Sequence, residues 1–385
     1  MDTSSKGLIL RIGIGKGAET DDAPSQPQEP PKFDKLAYEE IVKYYGELRP
    51  EIQKTPCKLS RLCEELEMEL YYKNEIENFT GSFMERAARG SLMSLSEEER
   101  ARGVVAASWG NFGAGLSYHG KLLGTRVKLF MPETTSACKV DACRAHGAEV
   151  ELRPGLLAEC VKLARRDAEL TGAVFAPGCD SIPSIASSGT IGMEILEDVP
   201  AVDAVLVQVG GAGLLAGVAT AIKHVRPDTQ IIAVESDAQP TFYESMRKGA
   251  PVRVPGRPTL ASGLAVARIG PTSFYNARRF VDKTVKVCED MIADAMRTLL
   301  MREKMVVEGA GAATMAALMH CGLAELKKKK VVIILTGGNV DFCQLCHALG
   351  CAGEDVPAAA AAAAAGAAPG DGDDHGDEED EDQEG

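Results

Sequence analysis

The chain has 385 residues, 45% of them hydrophobic and 25% charged, which is enough for two domains with substantial cores. No apolar run reaches the roughly 20 residues of a membrane-spanning helix. The first residues also lack the compact hydrophobic stretch and cleavage site of a secretory signal. Eleven cysteines without such a signal indicate reduced thiols. We therefore expect a soluble, cytoplasmic protein without a membrane partner.

The two ends of the chain differ in composition from its body. Residues 371–385 carry ten acidic side chains and no basic one, which leaves only four of the fourteen net negative charges for the rest. A mildly acidic body lacks the basic surface of nucleic-acid-binding proteins, so we expect no nucleic-acid partner. Polar, proline-rich and acidic composition predicts a disordered arm at 1–32 and, together with an alanine run, a disordered tail at 351–385.

Between these ends, short β-branched runs alternate with helical patterns. The runs are typical of buried parallel strands and occur at 104–105, 127–130, 204–209, 230–234 and 331–335. Helical patterns follow several of them, for example at 115–123 and 214–225. Repeated βα units of this kind predict a doubly wound α/β fold with ligands at the carboxyl ends of the strands. We predict a smaller α/β domain at 101–184 and a larger one built from 33–100 and 185–350.

Three turns that follow predicted strands contain small or polar residues, at 108–113, 210–214 and 336–341. In the second, glycines let backbone N–H groups converge on an anion, and the start of the next helix adds its positive dipole end. Close packing of helix on strand is an equally good interpretation of those glycines. The GxGxxG spacing of dinucleotide sites is absent. Because all three turns lie at predicted strand ends, we expect them to share one ligand site.

Four segments in order resemble the serine/threonine dehydratase and serine racemase family. They are 80–88, 108–111, 210–214 and 337–339, with further matches at 189–192 and 308–312. Members of that family are pyridoxal-phosphate (PLP) proteins of fold type II. The resemblance runs from about Tyr38 to Leu349 and implies two parallel-sheet domains with PLP in the cleft between them. It also implies PLP as the cofactor, a small amino acid as ligand, and assembly as a homodimer or a mixed dimer with a paralogue.

The resemblance assigns roles to individual residues. The phosphate of PLP would contact Gly210, Gly211, Ala212, Gly213 and Leu214. Asn111 would meet the phenolic oxygen, Thr336 the ring nitrogen, and Phe83 would line the ring pocket. The positions that face the substrate in the family are Ser82, Ser108, Trp109 and Phe112.

The family's Schiff-base lysine is absent, because its position is Met84. A thioether cannot form a C=N bond with the PLP aldehyde, nor take a proton as a general base. The nearest lysines in sequence are Lys73 and Lys121. Lys73 belongs to a predicted strand in which the family often has a basic residue for other reasons. A lysine from elsewhere in the fold stays open as a substitute.

Other differences from the family pattern fall in or near the matched segments. Ala87 and Ala212 replace glycines, so each adds a Cβ that could crowd PLP or strain a turn. Trp109 stands where dehydratases usually have alanine and racemases have serine, and Phe112 replaces the usual histidine. Core filling at a pocket that is no longer used is the favoured interpretation of both aromatic residues. Near Glu235, Thr241 stands where the family's divalent-metal site would have a carboxylate, so we expect no metal.

Two functions follow from the resemblance. The first is a catalytically degenerate member of the family, which binds a partner, a small anion or amino acid, or an active paralogue in a mixed dimer. The second is an active ammonia-lyase that converts L-serine or L-threonine to a 2-oxo acid through a displaced lysine or noncovalent PLP. A deliberate block of the lysine would also give Met84, but the accompanying changes at Ala87, Trp109, Phe112 and Ala212 favour loss of constraint or a change of task. A scaffold that uses the acidic tail is a third possibility.

Overall fold

The larger of two β-sheets has six strands and positions two of the three turns named above, at 210–214 and 336–341. We describe it from a computed structural model, which covers residues 32–350; the predicted tail and all of the predicted arm except Lys32 lie outside these residues. In chain order its strands are β1 (Cys57–Leu59), β2 (Glu69–Lys73), β7 (Ala204–Gln208), β8 (Gln230–Ser236), β9 (Lys283–Val287) and β10 (Lys330–Ile334). Their order across the sheet is β1-β2-β10-β7-β8-β9, and every pair is parallel except β1 with β2.

The smaller sheet has four strands, all parallel and all within residues 101–184. They are β3 (Val104–Ala107), β4 (Val127–Pro132), β5 (Glu149–Arg153) and β6 (Val174–Phe175). Their order is β5-β4-β3-β6. Together the two sheets confirm the predicted α/β class with parallel sheets.

Helices follow nearly every strand. They are α1 (Tyr38–Leu48), α2 (Cys63–Leu66), α3 (Met84–Met93), α4 (Glu97–Arg102), α5 (Asn111–Leu122), α6 (Ala137–Ala145), α7 (Leu157–Thr171), α8 (Ile182–Asp198), α9 (Gly213–Val225), α10 (Thr241–Lys248), α11 (Pro271–Ala277), α12 (Glu289–Thr298), α13 (Gly309–His320) and α14 (Phe342–Leu349). Within residues 32–350, none of them has both the length and the apolar composition to cross a membrane.

The larger sheet is covered on both faces, which explains its uninterrupted apolar strands. In β7, Val205 and Val207 face a cluster formed with α1, α8 and α9, whereas Leu206 faces a second cluster formed with α12 and α13. In β10, Ile334 faces the first of these clusters and Ile333 faces the second. A strand buried on both sides has no polar face, so its sequence shows no alternation.

Helix α3 connects the two sheets. Its Ala87, Ala88 and Leu92 pack in the apolar cluster of the smaller sheet. On the same helix, the fully buried Arg86 donates hydrogen bonds to Glu75 and to Glu194 of α8, beside the larger sheet. The helix that begins at Met84 is therefore held from both sides, and this fixes the position of its first residue.

Buried charges around Arg86 neutralise one another. Glu75 is enclosed by protein, and Lys73 contacts Glu194 from the end of β2. Burial alone would raise the pKa of the Glu75 carboxyl, but Arg86 and Lys73 lower it to about 2. Buried ions are tolerated only when such partners replace the lost water. The arginine in the motif at 80–88 thus has a structural role.

Candidate functional site

The chain around Met84 pairs directly with the end of β10. The Phe83 N–H donates to the Thr336 carbonyl oxygen at 2.9 Å, and the Gly338 N–H donates to the Gly81 carbonyl oxygen at 3.0 Å. Between these two contacts, Ser82 and Gly337 form an antiparallel bridge. The structure therefore brings Met84, at the first position of α3, beside Thr336, at the carboxyl end of a central strand.

Asn111, which begins α5, reaches the same place from the smaller sheet. Its Nδ2 donates to Glu308 Oε1 at 2.7 Å, and its Oδ1 accepts from Asn339 Nδ2 at 3.0 Å. The backbone N–H of Glu308 donates to the Gly337 carbonyl oxygen at 3.0 Å, which fixes Glu308 next to the turn after β10. Asn111 is therefore positioned by partners on the far side of the cleft.

A buried lysine completes this group. Lys139 Nζ lies 2.8 Å from Glu308 Oε2, and both side chains are more than nine-tenths buried. Gly110 makes room for Lys139, because a Cβ there would lie 2.6 Å from the Lys139 Cβ and Cδ atoms, at a φ of +123°. Since Lys139 belongs to α6 and Glu308 precedes α13, the ion pair links the smaller sheet to the larger one. A cavity of about 180 Å³ opens beside it, lined by Gly110, Asn111, Cys138, Lys139 and Asn339, among others.

The glycine-rich turn after β7 has the form of an anion cradle. The N–H groups of residues 210–214 find no backbone acceptor among the described residues, and they lie at the start of α9. Unpaired N–H groups and a helix dipole together attract an anion. The turn also packs closely on Cys179, whose carbonyl oxygen would lie 2.6 Å from a Cβ at Gly213. Burial raises the pKa of the Cys179 thiol to about 12, so the neutral thiol does not repel an anion.

Ala212 and Ala87, which replace family glycines, differ in their backbone conformation. Ala212 has φ +63° and ψ 3°, a left-handed conformation that costs a residue with a Cβ about 1–2 kcal/mol. Ala87 lies inside α3 and packs in the apolar cluster of the smaller sheet. The expected backbone strain is therefore present at Ala212 only.

The predicted substrate-facing residues divide into two groups. Ser108 Oγ accepts from the N–H groups of Gly110 and Gly113 at 2.9 and 3.0 Å, so it stabilises the start of α5. Phe112 is buried in the apolar cluster of the smaller sheet, which matches the core-filling interpretation. By contrast, Ser82 Oγ and Trp109 Nε1 are buried atoms without a hydrogen-bond partner among residues 32–350. Only these last two side chains offer unused polar atoms.

Residues that the sequence did not single out also occupy the site. Sequence alone assigns no role to Lys139, places Glu308 only within a matched segment, and predicts Gln208 to lie in a strand. Gln208 donates to the Thr336 hydroxyl from the end of β7. Gln208 lies two residues before the turn at 210–214 and Glu308 opens a matched segment, whereas Lys139 lies next to none of the matched segments. The partners of all three lie far away in sequence.

At Glu235, where we expect no metal, the carboxylate accepts hydrogen bonds from the backbone. Both carboxylate oxygens of Glu235 accept backbone N–H groups, from Phe242 at 2.6 Å and Tyr243 at 2.7 Å. Its carboxylate thus caps α10, at whose first position Thr241 lies. In the part of the chain that the structure describes, no group of three or more His, Cys, Asp or Glu side chains could hold a metal ion.

Comparison with known proteins gives the class to which this fold and site belong. The profile of the family described as "Pyridoxal-phosphate dependent enzyme" matches residues 48–337, so the chain belongs to this family. It is 40% identical over 307 residues to an L-threonine ammonia-lyase of Thermotoga maritima, covering 80% of this chain and 76% of that protein. It is 36% identical to the catabolic L-threonine dehydratase of Escherichia coli (strain K12), covering 82% and 96%.

Two solved structures show the same architecture. Threonine deaminase isoform 2 from Solanum lycopersicum superposes with a TM-score of 0.76 at 32% identity, over 84% of this chain and 96% of that one. Maize serine racemase superposes with a TM-score of 0.77 at 29% identity, over 82% and 97%. These similarities confirm the predicted family, its fold and its dependence on PLP.

The residues present fit PLP at its phosphate and ring but not at its aldehyde. The unpaired N–H groups of residues 210–214 suit a phosphate, and the buried Thr336 hydroxyl suits a ring nitrogen. At the first position of α3, however, the thioether of Met84 replaces an amine. The donor set therefore suits noncovalent binding.

Proposed function

We propose that this protein is a catalytically degenerate member of the family, which binds PLP or a related phosphate without a covalent link. Met84 at the start of α3, paired through Phe83 with Thr336, is the observation that carries the proposal. When bound, PLP supplies an electron sink for reactions of amino acids. The side chain that would hold PLP and move the substrate proton is missing at the place the fold provides for it.

The remaining side chains retain binding roles under this proposal. The N–H groups of residues 210–214 hold a phosphate, and the Thr336 hydroxyl and Asn111 amide orient a ring. Glu308 keeps Asn111 and Lys139 in place across the cleft. Trp109 narrows the space for a substrate side chain. The ligands that fit such a cleft are a phosphorylated pyridine and a small amino acid or anion.

Assembly and location complete the proposal. We infer a cytoplasmic homodimer, or a mixed dimer in which this chain supports an active paralogue, and two domains divided at about residues 101 and 184. Light scattering of the purified chain tests the dimer, because a single monomeric species would exclude the first arrangement.

Lys139 supports one alternative, an active L-serine or L-threonine ammonia-lyase. It is a buried lysine beside Asn111, and it lines the cavity at the cleft. Its Nζ, however, lies against the Glu308 carboxylate, a geometry that suits an ammonium ion. A protonated amine has no lone pair with which to attack a carbonyl carbon. This arrangement favours a structural ion pair over a displaced catalytic lysine.

A turnover assay separates the two functions. Full-length protein is incubated with excess PLP and L-threonine or L-serine, and 2-oxo acid is measured. Loss of acid–base catalysis alone removes about 10²–10⁴ in rate, so we expect turnover far below the ordinary range of about 1–10³ per second. Turnover within that range contradicts degeneracy. If borohydride reduction then attaches PLP to Lys139, Lys139 is the displaced lysine.

A further inference from the structure

Helix α7 covers one face of the smaller sheet by itself. The apolar cluster on that face contains Val105 and Phe130 from the sheet and Cys160 and Ala164 from α7, and no other helix within residues 32–350 contributes to it. The opposite face is covered by α3, α5 and α6. Without a helix beside it on its own face, α7 forms a ridge whose outer surface faces solvent.

Three exposed leucines follow one another along this ridge at intervals of seven residues. Leu156, directly before the helix, is 61% exposed, Leu163 is 37% exposed and Leu170 is 77% exposed. Because seven residues make almost two full turns, the three side chains line one side of α7. The buried side of the helix is formed instead by residues such as Ala164 and Ala168. Aligned apolar side chains on an open helix are typical of a surface that packs against another molecule.

The row of leucines is symmetric about Leu163, which suits contact between two identical copies. A two-fold contact uses the same patch on both molecules. If two α7 helices lie antiparallel with the axis at Leu163, the two Leu163 side chains meet. Leu156 of each copy then lies opposite Leu170 of the other. All three leucines are covered in this arrangement.

Glu159 and Arg166 have the same symmetry in charge. Both are exposed, and each lies about one turn from Leu163, on opposite sides of it along the helix. In the antiparallel pair, Glu159 of each copy lies beside Arg166 of the other, which gives two ion pairs across the contact. A parallel pair would bring like charges together instead. The charges therefore favour the antiparallel orientation.

Both charged side chains are available for such a contact. Arg166 forms no ion pair within residues 32–350. Glu159 pairs only with Lys162 of the same helix, at 2.9 Å, and both of these side chains are more than half exposed. Exposed pairs of this kind contribute little to stability, so exchanging the partner costs little.

We propose that α7 is a self-association surface, on which a second copy of this chain packs its own α7 antiparallel with Leu163 on the two-fold axis. A helix of 15 residues is about 22 Å long and about 10 Å wide, so the contact is smaller than the roughly 800 Å² per partner of a stable complex. The association is therefore weak and depends on protein concentration. It does not depend on PLP.

The test is sedimentation velocity of the full-length protein over a range of concentrations. We expect the average mass of the wild-type protein to rise with concentration. Leu163→Glu should abolish this rise, because two carboxylates would meet on the axis. Glu159→Arg or Arg166→Glu alone should weaken association at least roughly tenfold, since like charges then face each other twice.

Mixing Glu159→Arg protein with Arg166→Glu protein should restore association. One copy then has two positive side chains at positions 159 and 166 and the other has two negative ones, so opposite charges face each other again. A misfolded variant could not be rescued in this way. Val225→Glu changes an exposed apolar residue at the end of α9 and should associate as the wild-type protein does.

Three results would overturn the proposal. The first is a wild-type protein that keeps one mass at every concentration. The second is equal association of the wild-type protein and Leu163→Glu, which would place the contact on another surface. The third is a mixture of the two charge variants that associates no better than either alone, which would exclude the antiparallel arrangement.

Discussion

Replacing Arg86 by methionine should lower the free energy of unfolding by about 3–5 kcal/mol, the cost of leaving buried charges without a partner. The guanidinium is fully buried and contacts Glu75 and Glu194 in pairs of hydrogen bonds. Methionine fills similar space but leaves the two carboxylates facing each other with only Lys73 to neutralise them. Urea-induced unfolding measured by circular dichroism gives the difference.

Arg302→Met is the matched control for this prediction. Arg302 makes a single ion pair with Glu65 at 3.0 Å, and both side chains are more than half exposed. Exposed pairs contribute about 0–1 kcal/mol, so the control should unfold almost as the wild-type protein does. If the two variants lose equal stability, Arg86 does not serve as the buried anchor of α3.

Replacing Met84 by lysine should produce a covalent link to PLP where the wild-type protein forms none. Met84 is partly exposed at the start of α3, and it lies one residue beyond the contact of Phe83 with Thr336. A lysine at position 84 carries its amine on the first side chain of α3, which is the position of the family's Schiff-base lysine. We expect about one borohydride-reduced PLP per chain on residue 84, measured by intact mass and peptide mapping.

Met93→Lys controls for surface lysines that react with PLP without specificity. Met93 ends the same helix, is partly buried, and receives the same substitution. It should gain no adduct at position 93. If Met84→Lys takes up PLP reversibly yet shows no reduced adduct, the cleft does not present the aldehyde to the start of α3, and the placement of the site is wrong.

The strands and turns of this fold were predictable because their signals are local. Buried parallel strands produce apolar runs, and β7 and β10 fall within one residue of the runs at 204–209 and 331–335. The turn at 210–214 was predictable because glycines that follow an apolar run and precede a helical pattern are a local signal. Patterns of this kind do not depend on distant partners.

The polar connections of the site were not predictable. Asn111 and Glu308 are separated by 197 residues, and Lys139 and Glu308 by 169. Which distant side chain pairs with which depends on how the two sheets meet, and no sequence period encodes that. Arg86 was part of the matched segment at 80–88, but its pairing with Glu194, 108 residues away, could not be predicted for the same reason.

The alanines at 87 and 212 show where a local rule succeeds and where it fails. Both replace family glycines, and sequence alone gives both the same expectation of strain. At Ala212 the turn requires a positive φ, so the expectation holds. Ala87 lies in a helix, where a Cβ is accommodated in the apolar cluster. Only the backbone conformation distinguishes the two positions.

The most direct test of degeneracy is an absorbance spectrum of the full-length wild-type protein with PLP, recorded before and after borohydride reduction and gel filtration. If the protein is degenerate, PLP binds reversibly, its absorbance is lost on gel filtration without reduction, and no single lysine is modified stoichiometrically after reduction. One reduced PLP per chain, mapped to Lys139 or another defined lysine, would rule out the proposed degeneracy and make the ammonia-lyase the better explanation.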